Sequence, residues 1–176
     1  YWGSRVEYNA AAQRYEITGI MGPDEYHEHV DNNAFTNRMV QWHLERALQV
    51  RDWLHREDPG KAKALEQRLN LTTERLALWR DIQQRMYIPY DPATGLFEQF
   101  TGFFQLQDLD WQALEPRTKP VQMVLGIEET QRYQALKQPD VLMLLYLLSK
   151  EYDERILQVN WQYYEPRTDH THGSSL

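Results

Sequence analysis

The sequence predicts an all-α protein of layered helices whose chemistry sits on elaborate loops along one rim. Three observations carry that expectation. Apolar residues recur every three or four positions between Phe35 and Leu54 and again in the segment ending at Met86, the period of a helix with one buried face. Residues 141–148 are apolar on every side, as a fully buried helix is. Between Tyr87 and Pro120 the period vanishes and turn residues gather, and a loop that long inside a compact domain is usually functional or disordered.

Taken in order, residues 1–33 read as an irregular or extended lead, with a strand signal at 15–20 and a loop around Gly22-Pro23, where turn residues cluster. A helix follows in which Phe35, Met39, Trp42, Ala47, Val50 and Leu54 form one stripe, ending near Asp58-Pro59-Gly60, since proline and glycine stop propagation. A second helical region runs from about Lys61 to Met86 and breaks near Asn70 to Thr73. Thr72 or Thr73 can cap its second half, which carries Leu76, Trp79, Ile82 and Met86 on one face, because a hydroxyl at that position accepts from a free backbone N–H. Residues 87–120 are rich in aromatics, which argues against disorder. After Lys137-Gln138-Pro139, Asp140 can cap the apolar helix, expected to be buried all round, and Asp153 can cap a last helix that turns Ile156, Val159 and Tyr163 to the core.

A chain of 176 residues is long enough for one domain with a substantial core, and one core is the default. The net charge of −7, with no basic run to offset it, repels a phosphate backbone and excludes nucleic-acid binding as a first reading. There is no cysteine, so disulfides and thiolate metal sites are excluded and a cytoplasmic location is indicated. The longest apolar run is far shorter than the roughly 20 residues that cross a bilayer, and no signal peptide opens the chain, so no membrane association is expected. The chain opens on Tyr1 and stops at Leu176 just after a run of functional side chains, and reads as a fragment of a longer protein. Aromatics make up 12%, with 6 Trp and 11 Tyr; they suit surfaces that stack on sugar rings, and equally an ordinary core.

The segment Gly22-Pro23-Asp24-Glu25-Tyr26-His27-Glu28, followed by Val30-Asp31-Asn32-Asn33-Ala34-Phe35-Thr36-Asn37, gathers carboxylates, an imidazole and carboxamides. Carboxylic acids can protonate a glycosidic oxygen while Asn and His side chains hydrogen-bond hydroxyls, so the mixture suits a carbohydrate site. The competing reading is a Pro-initiated turn in which Asp24 caps a following helix. At such a helix start Glu25 and Glu28 share a face and with Asp24 form an acidic cluster that suits a general acid, or equally a set of solvated carboxylates favoured by the helix dipole. Lys137-Gln138 places a cation and a carboxamide at the mouth of the apolar helix, where they can hold sugar hydroxyls or form an exposed turn. His170, His172, Gly173, Ser174 and Ser175 combine imidazoles, hydroxyls and a glycine that admits close backbone approach, a composition able to cradle phosphate. His170 and His172 lack a third ligand at suitable spacing, so no metal is expected. A P-loop, a dinucleotide fingerprint and a nucleophile elbow are all missing from the sequence.

Several segments together resemble glycoside hydrolase family 65, the inverting phosphorylases of maltose, trehalose, kojibiose, nigerose and related α-glucosides. The similarity runs in family order through Tyr1-Trp2-Gly3-Ser4-Arg5-Val6, the Gly22 and Asp31 segments above, Tyr90-Asp91-Pro92-Ala93-Thr94-Gly95, Glu98-Gln99-Phe100-Thr101-Gly102-Phe103-Phe104, Lys137-Gln138-Pro139-Asp140-Val141, and Tyr164-Glu165-Pro166-Arg167-Thr168 leading to His172-Gly173-Ser174-Ser175-Leu176. The resemblance implies that residues 1–176 are the later part of an (α/α)6-barrel catalytic domain, roughly half the barrel being absent. It implies Glu25 as general acid, Lys137 and Gln138 as the sugar-binding pair, and His172, Ser174 and Ser175 as phosphate contacts. The tail departs from the family pattern at Asp169-His170, which leaves His170 without an assigned role. The implied reaction is phosphorolysis of an α-linked disaccharide to β-glucose 1-phosphate, with inorganic phosphate as co-substrate and no organic cofactor. A homodimer is implied for the full-length protein, and no activity for the fragment alone. A water-using hydrolase of the same family and a non-catalytic carbohydrate-binding module are the alternatives.

Overall fold

The computed structural model describes residues 1–171, which divide into two compact units: Tyr1–Glu16 with Asn37–Tyr87, and Ile17–Thr36 with the chain from Ile88 onward. Helices dominate, as the sequence predicts. Among the described residues no helix is long and apolar enough to cross a membrane.

In the first unit a short helix α1 (Trp2–Arg5) leads into an antiparallel hairpin, β1 (Glu7–Asn9) and β2 (Arg14–Glu16), with Tyr8 opposite Tyr15. The predicted strand at 15–20 is thus shorter and earlier than its signal: it ends at Glu16, and Ile20 pairs separately with Val30 beyond Gly19, which has a φ of 58°. Helix α2 spans Ala34–Glu57. Its buried face is Asn37, Val40 and Leu44, whereas Val50 is exposed; the helix is as long as predicted but rotated from the expected stripe, so Phe35, Met39 and Trp42 lie at the margin of the buried face. Asp58 caps α3 (Pro59–Arg68) by accepting from the Lys61 amide at 2.9 Å. Asn70, at a φ of 51°, marks the predicted break, and Thr72 caps α4 (Thr73–Arg85) through the Arg75 amide. Leu76, Ile82 and Met86 are buried as expected.

In the second unit the 87–120 stretch expected to be a loop contains a hairpin, β3 (Tyr90–Asp91) with β4 (Leu96–Phe97), and two 3-10 turns; the short helices α5 (Val121–Leu125) and α6 (Ile127–Thr130) follow it. Helix α7 is Asp140–Leu147 and α8 is Glu154–Tyr164, the latter capped by Asp153 on the Ile156 amide at 2.8 Å. Phe97, Phe100 and Phe103 pack with Ala34, Leu136, Val141, Leu142, Leu145 and Tyr164 into one apolar cluster. On α8 Ile156 and Tyr163 pack against that cluster, and the fully buried residues are Tyr164 and, unexpectedly, the polar Asn160. Its carboxamide accepts from the Phe97 amide and donates to the Gly95 carbonyl, so it closes the β3–β4 hairpin, where Gly95 has a φ of 81°.

Two expectations about α7 fail. Tyr146 is 77% exposed and Leu147 is 53% exposed, so the helix is not buried all round. Nor does Asp140 cap it; Asp140 is itself the first residue of the helix, and its carboxylate accepts from the Asp24 amide and the Asn33 carboxamide.

Candidate active site

Residues 22–28 form a sequence of turns and not a helix start, so Asp24 does not cap a following helix. Gly22 begins the segment under a tight constraint, since a Cβ there would overlap the Asp140 carboxylate and the Asn33 carboxamide. Asp24 is almost fully buried. Its Oδ1 accepts from the backbone amides of Lys137 at 2.9 Å, Tyr26 at 3.3 Å and Gln138 at 3.4 Å. Its Oδ2 meets His27 Nδ1 at 2.7 Å and accepts from Gln99 Nε2 at 3.1 Å. A buried carboxylate is tolerated only when its lone pairs are filled in this way.

Asp140 completes the arrangement reciprocally. Its carboxylate accepts from the Asp24 amide at 2.7 Å and from Asn33 Nδ2 at 2.6 Å, while its own amide donates to Gln99 Oε1 at 3.1 Å. Burial, and then the neighbouring Asp24 carboxylate, push the Asp140 carboxyl well above the usual range. Asn33 Oδ1 in turn accepts from the Thr36 amide at 2.9 Å and so caps α2, an ordinary use of asparagine. The far side of the His27 ring reaches the Tyr133 carbonyl at 3.0 Å and its face packs on Phe100.

The polar residues whose mixture suggested sugar hydroxyls are therefore mostly turned inward: Asp24, His27, Asn32, Asn33 and Asn37 are all buried. Glu25 is different. Its side chain is 57% exposed and forms an ion pair with Lys137 Nζ, while its backbone amide donates to Gln138 Oε1 at 3.4 Å. The three residues expected to meet an α-glucoside are thus brought together from positions more than a hundred apart in sequence. The other three, His172, Ser174 and Ser175, lie outside the described residues. His170 is half-exposed and within 3.4 Å of Glu165, an ordinary surface contact.

Beside Lys137 lies a cavity of about 250 Å³ bordered by Tyr26, Asp169, Thr171, Gln122 and Met123. Asp169 organises its wall, accepting from the Tyr26 hydroxyl at 2.8 Å, the Val121 amide at 2.7 Å and Arg117 Nη1 at 2.8 Å, and contacting the Thr171 hydroxyl. Burial works to raise this carboxyl, but the donors from Thr171, Val121 and Arg117 outweigh it and hold the group well below the ordinary carboxylate range, because donors to the ionised form favour it. Burial and the Asp169 partner raise the Tyr26 phenol. Asp169, Arg117 and Gln99 were not recognisable as site residues from sequence. The available hints were an aspartate breaking the expected tail pattern and a glutamine in the aromatic-rich run Phe97-Glu98-Gln99-Phe100.

The kojibiose phosphorylase of Caldanaerobacter subterraneus subsp. tengcongensis is 38% identical over 100% of this chain and 23% of its own length. The nigerose phosphorylase of Lachnoclostridium phytofermentans is 36% identical, again over 100% of this chain and 23% of its own. A solved structure provisionally described as a kojibiose phosphorylase from human microbiome superposes with a TM-score of 0.85 at 32% identity, covering 96% of this chain and 23% of the other. The chain thus spans under a quarter of the length of these relatives. Residues 1–176 match the model of the glycosyl hydrolase family 65 central catalytic domain, and the chain belongs to that family.

Proposed function

We propose that the full-length protein carrying this chain is an inverting disaccharide phosphorylase that cleaves an α-glucoside with inorganic phosphate and releases β-glucose 1-phosphate and the second sugar. Glu25 donates its proton to the glycosidic oxygen as the bond from that oxygen to the anomeric carbon breaks, and a phosphate oxygen forms the new bond from the opposite face. Phosphate is a competent nucleophile without a strong protein base, so the second carboxylate that an inverting hydrolase uses to activate water has no task here. The protein's remaining work is orientation and stabilisation by fixed donors. Lys137 and Gln138 hold glucosyl hydroxyls, and His172, Ser174 and Ser175 contact phosphate. The reading places the chain in the later part of an (α/α)6 barrel, in a cytoplasmic and homodimeric enzyme that needs no organic cofactor, and it makes the 176 residues alone inactive.

The observation that carries this reading is the meeting of Glu25 with Lys137 and Gln138 on one exposed surface, in a chain whose relatives are named as phosphorylases. The test is product analysis of the full-length protein on a panel of α-linked disaccharides. The expected outcome is sugar release that requires phosphate, with glucose 1-phosphate in the β configuration by NMR. Release of free glucose at the same rate without phosphate contradicts it.

A further inference from the structure

We infer that Asp24, the buried neighbour of Glu25, is the positioning residue of the reaction: one carboxylate sets the place of the acid and of both sugar-binding residues at once. The inference rests on the phosphorylase reading above and extends it to a group that does not itself reach the surface.

Three backbone amides, those of Tyr26, Lys137 and Gln138, converge on a single oxygen of Asp24. Glu25 lies between two of the anchored points, residue 24 and the Tyr26 amide, so its main chain is fixed by the same group that fixes Lys137 and Gln138. The second oxygen ties the assembly to the interior through His27 and Gln99. Gln99 has no spare orientation. Its Nε2 donates to Asp24 and its Oε1 accepts from the Asp140 amide, so turning it over would break both bonds. Residue 24 therefore requires acceptors on both sides. In Asp24→Asn the carboxamide oxygen can still receive the three amides, but its NH2 then meets the NH2 of Gln99, and the conflict displaces the loop that carries Glu25.

Misplacing a general acid has a chemical signature that general loss of structure does not. A sugar leaving group needs a proton in the transition state, and a positioned acid supplies typically 10²–10⁴-fold in rate. Fluoride departs from α-glucosyl fluoride with little such help. An enzyme whose acid has moved loses turnover of the disaccharide and keeps turnover of the fluoride; an enzyme that is partly unfolded loses both in proportion.

The experiment uses the full-length protein, with wild type first assayed on disaccharide with and without phosphate. Absence of phosphate-dependent turnover at this stage counts against the proposed function itself. Given that turnover, kcat and KM are measured for Asp24→Asn, Asp24→Ser and Gln99→Ala on disaccharide and on α-glucosyl fluoride, with Glu25→Gln as the reference for a lost acid. Asp24→Asn is expected to lose about 10- to 100-fold in kcat on the disaccharide and no more than about threefold on the fluoride. KM is expected to rise for both substrates, because Lys137 and Gln138, which hold the glucosyl hydroxyls common to both, move too, so the selectivity is read in kcat. Gln99→Ala, which leaves the Asp24 carboxylate intact, is expected to show the same selectivity at smaller size and serves if the residue-24 variants do not fold. Equal losses on both substrates, or no loss on either, overturn the inference.

Discussion

Residues 22–28 and the helix pair α7–α8 lie in the same compact unit and are held by opposite kinds of force. The loop is ordered by directional hydrogen bonds to specific atoms: two buried aspartates, Asn33, His27 and Gln99 saturate one another and the backbone around them. The helix pair is ordered by non-directional apolar burial, with Val141, Leu142, Leu144 and Leu145 inside. The surface of the pair is apolar too, since Tyr146, Leu147 and Trp161 are exposed beside a groove of about 430 Å³. The difference teaches that hydrophobicity says a helix must be covered without saying by what, whereas a polar cluster is specified atom by atom and fails when a single partner is wrong.

The sharpest break in the comparison comes from truncating one region and overfilling the other at its best-packed point. Leu144 is fully buried, so Leu144→Ala should cost about 2–5 kcal/mol in denaturant unfolding through lost burial and the cavity left behind. Gly22→Ala adds one methyl where the neighbours are themselves pinned, and should fall at the upper end of the roughly 1–3 kcal/mol that overpacking costs. A smaller effect at Gly22 than at an exposed glycine such as Gly60 would mean that the cluster is softer than its bonds suggest.

A second way to sharpen the contrast is pH, because the buried carboxylates of the site region carry opposite signs. The Asp169 carboxyl is held low in the folded state. Its contribution to stability is present above the ordinary carboxylate value of about 4 and is lost as pH falls through the folded value. Asp140 is held high, so its contribution is present below about pH 4 and is lost as pH rises through its folded value. Asp169→Asn should therefore flatten the acid limb of the stability curve, and Asp140→Asn the rising-pH limb above it. Thermal midpoints recorded from pH 3 to pH 9 in steps of about one unit separate the two; identical curves for both variants would contradict the assignment.

The smallest effect is expected on the outer face of α7. Tyr146→Ser in the 176-residue chain should change unfolding free energy by no more than about 0.5 kcal/mol, as exposed substitutions do, and should reduce self-association by shrinking the apolar patch. Light scattering against wild type measures the second effect.

Much of this molecule was legible in its sequence wherever the signal was periodic or local. The ends of α2, the break at Asn70, and the caps Thr72 and Asp153 follow from side chains acting on amides a few residues away. What escaped depended on distant partners. The 87–120 stretch hid a hairpin whose closing group, Asn160, lies on another element. The stripe chosen for α2 favoured large side chains, while the true buried face includes Asn37, which donates to the Tyr87 carbonyl. At the site the residue types were informative, and the tasks of the inward-turned ones were misread. Asp24, His27 and Asn33 looked like surface donors and acceptors for a sugar, yet they are scaffold, because residue type does not reveal which side chains turn inward. Glu25, Lys137 and Gln138 were placed by family resemblance, and the turns that join them could not be read from spacing.

Whether Glu25 works as an acid and does no structural work is measured most directly by turnover and thermal midpoint of Glu25→Gln in the full-length protein. Its side chain is exposed and paired only at the surface with Lys137, a contact of small energetic weight. Phosphorolysis of the disaccharide is expected to fall by about 10²–10⁴-fold with the midpoint unchanged. Retained turnover, or a loss that tracks a lowered midpoint, would contradict it.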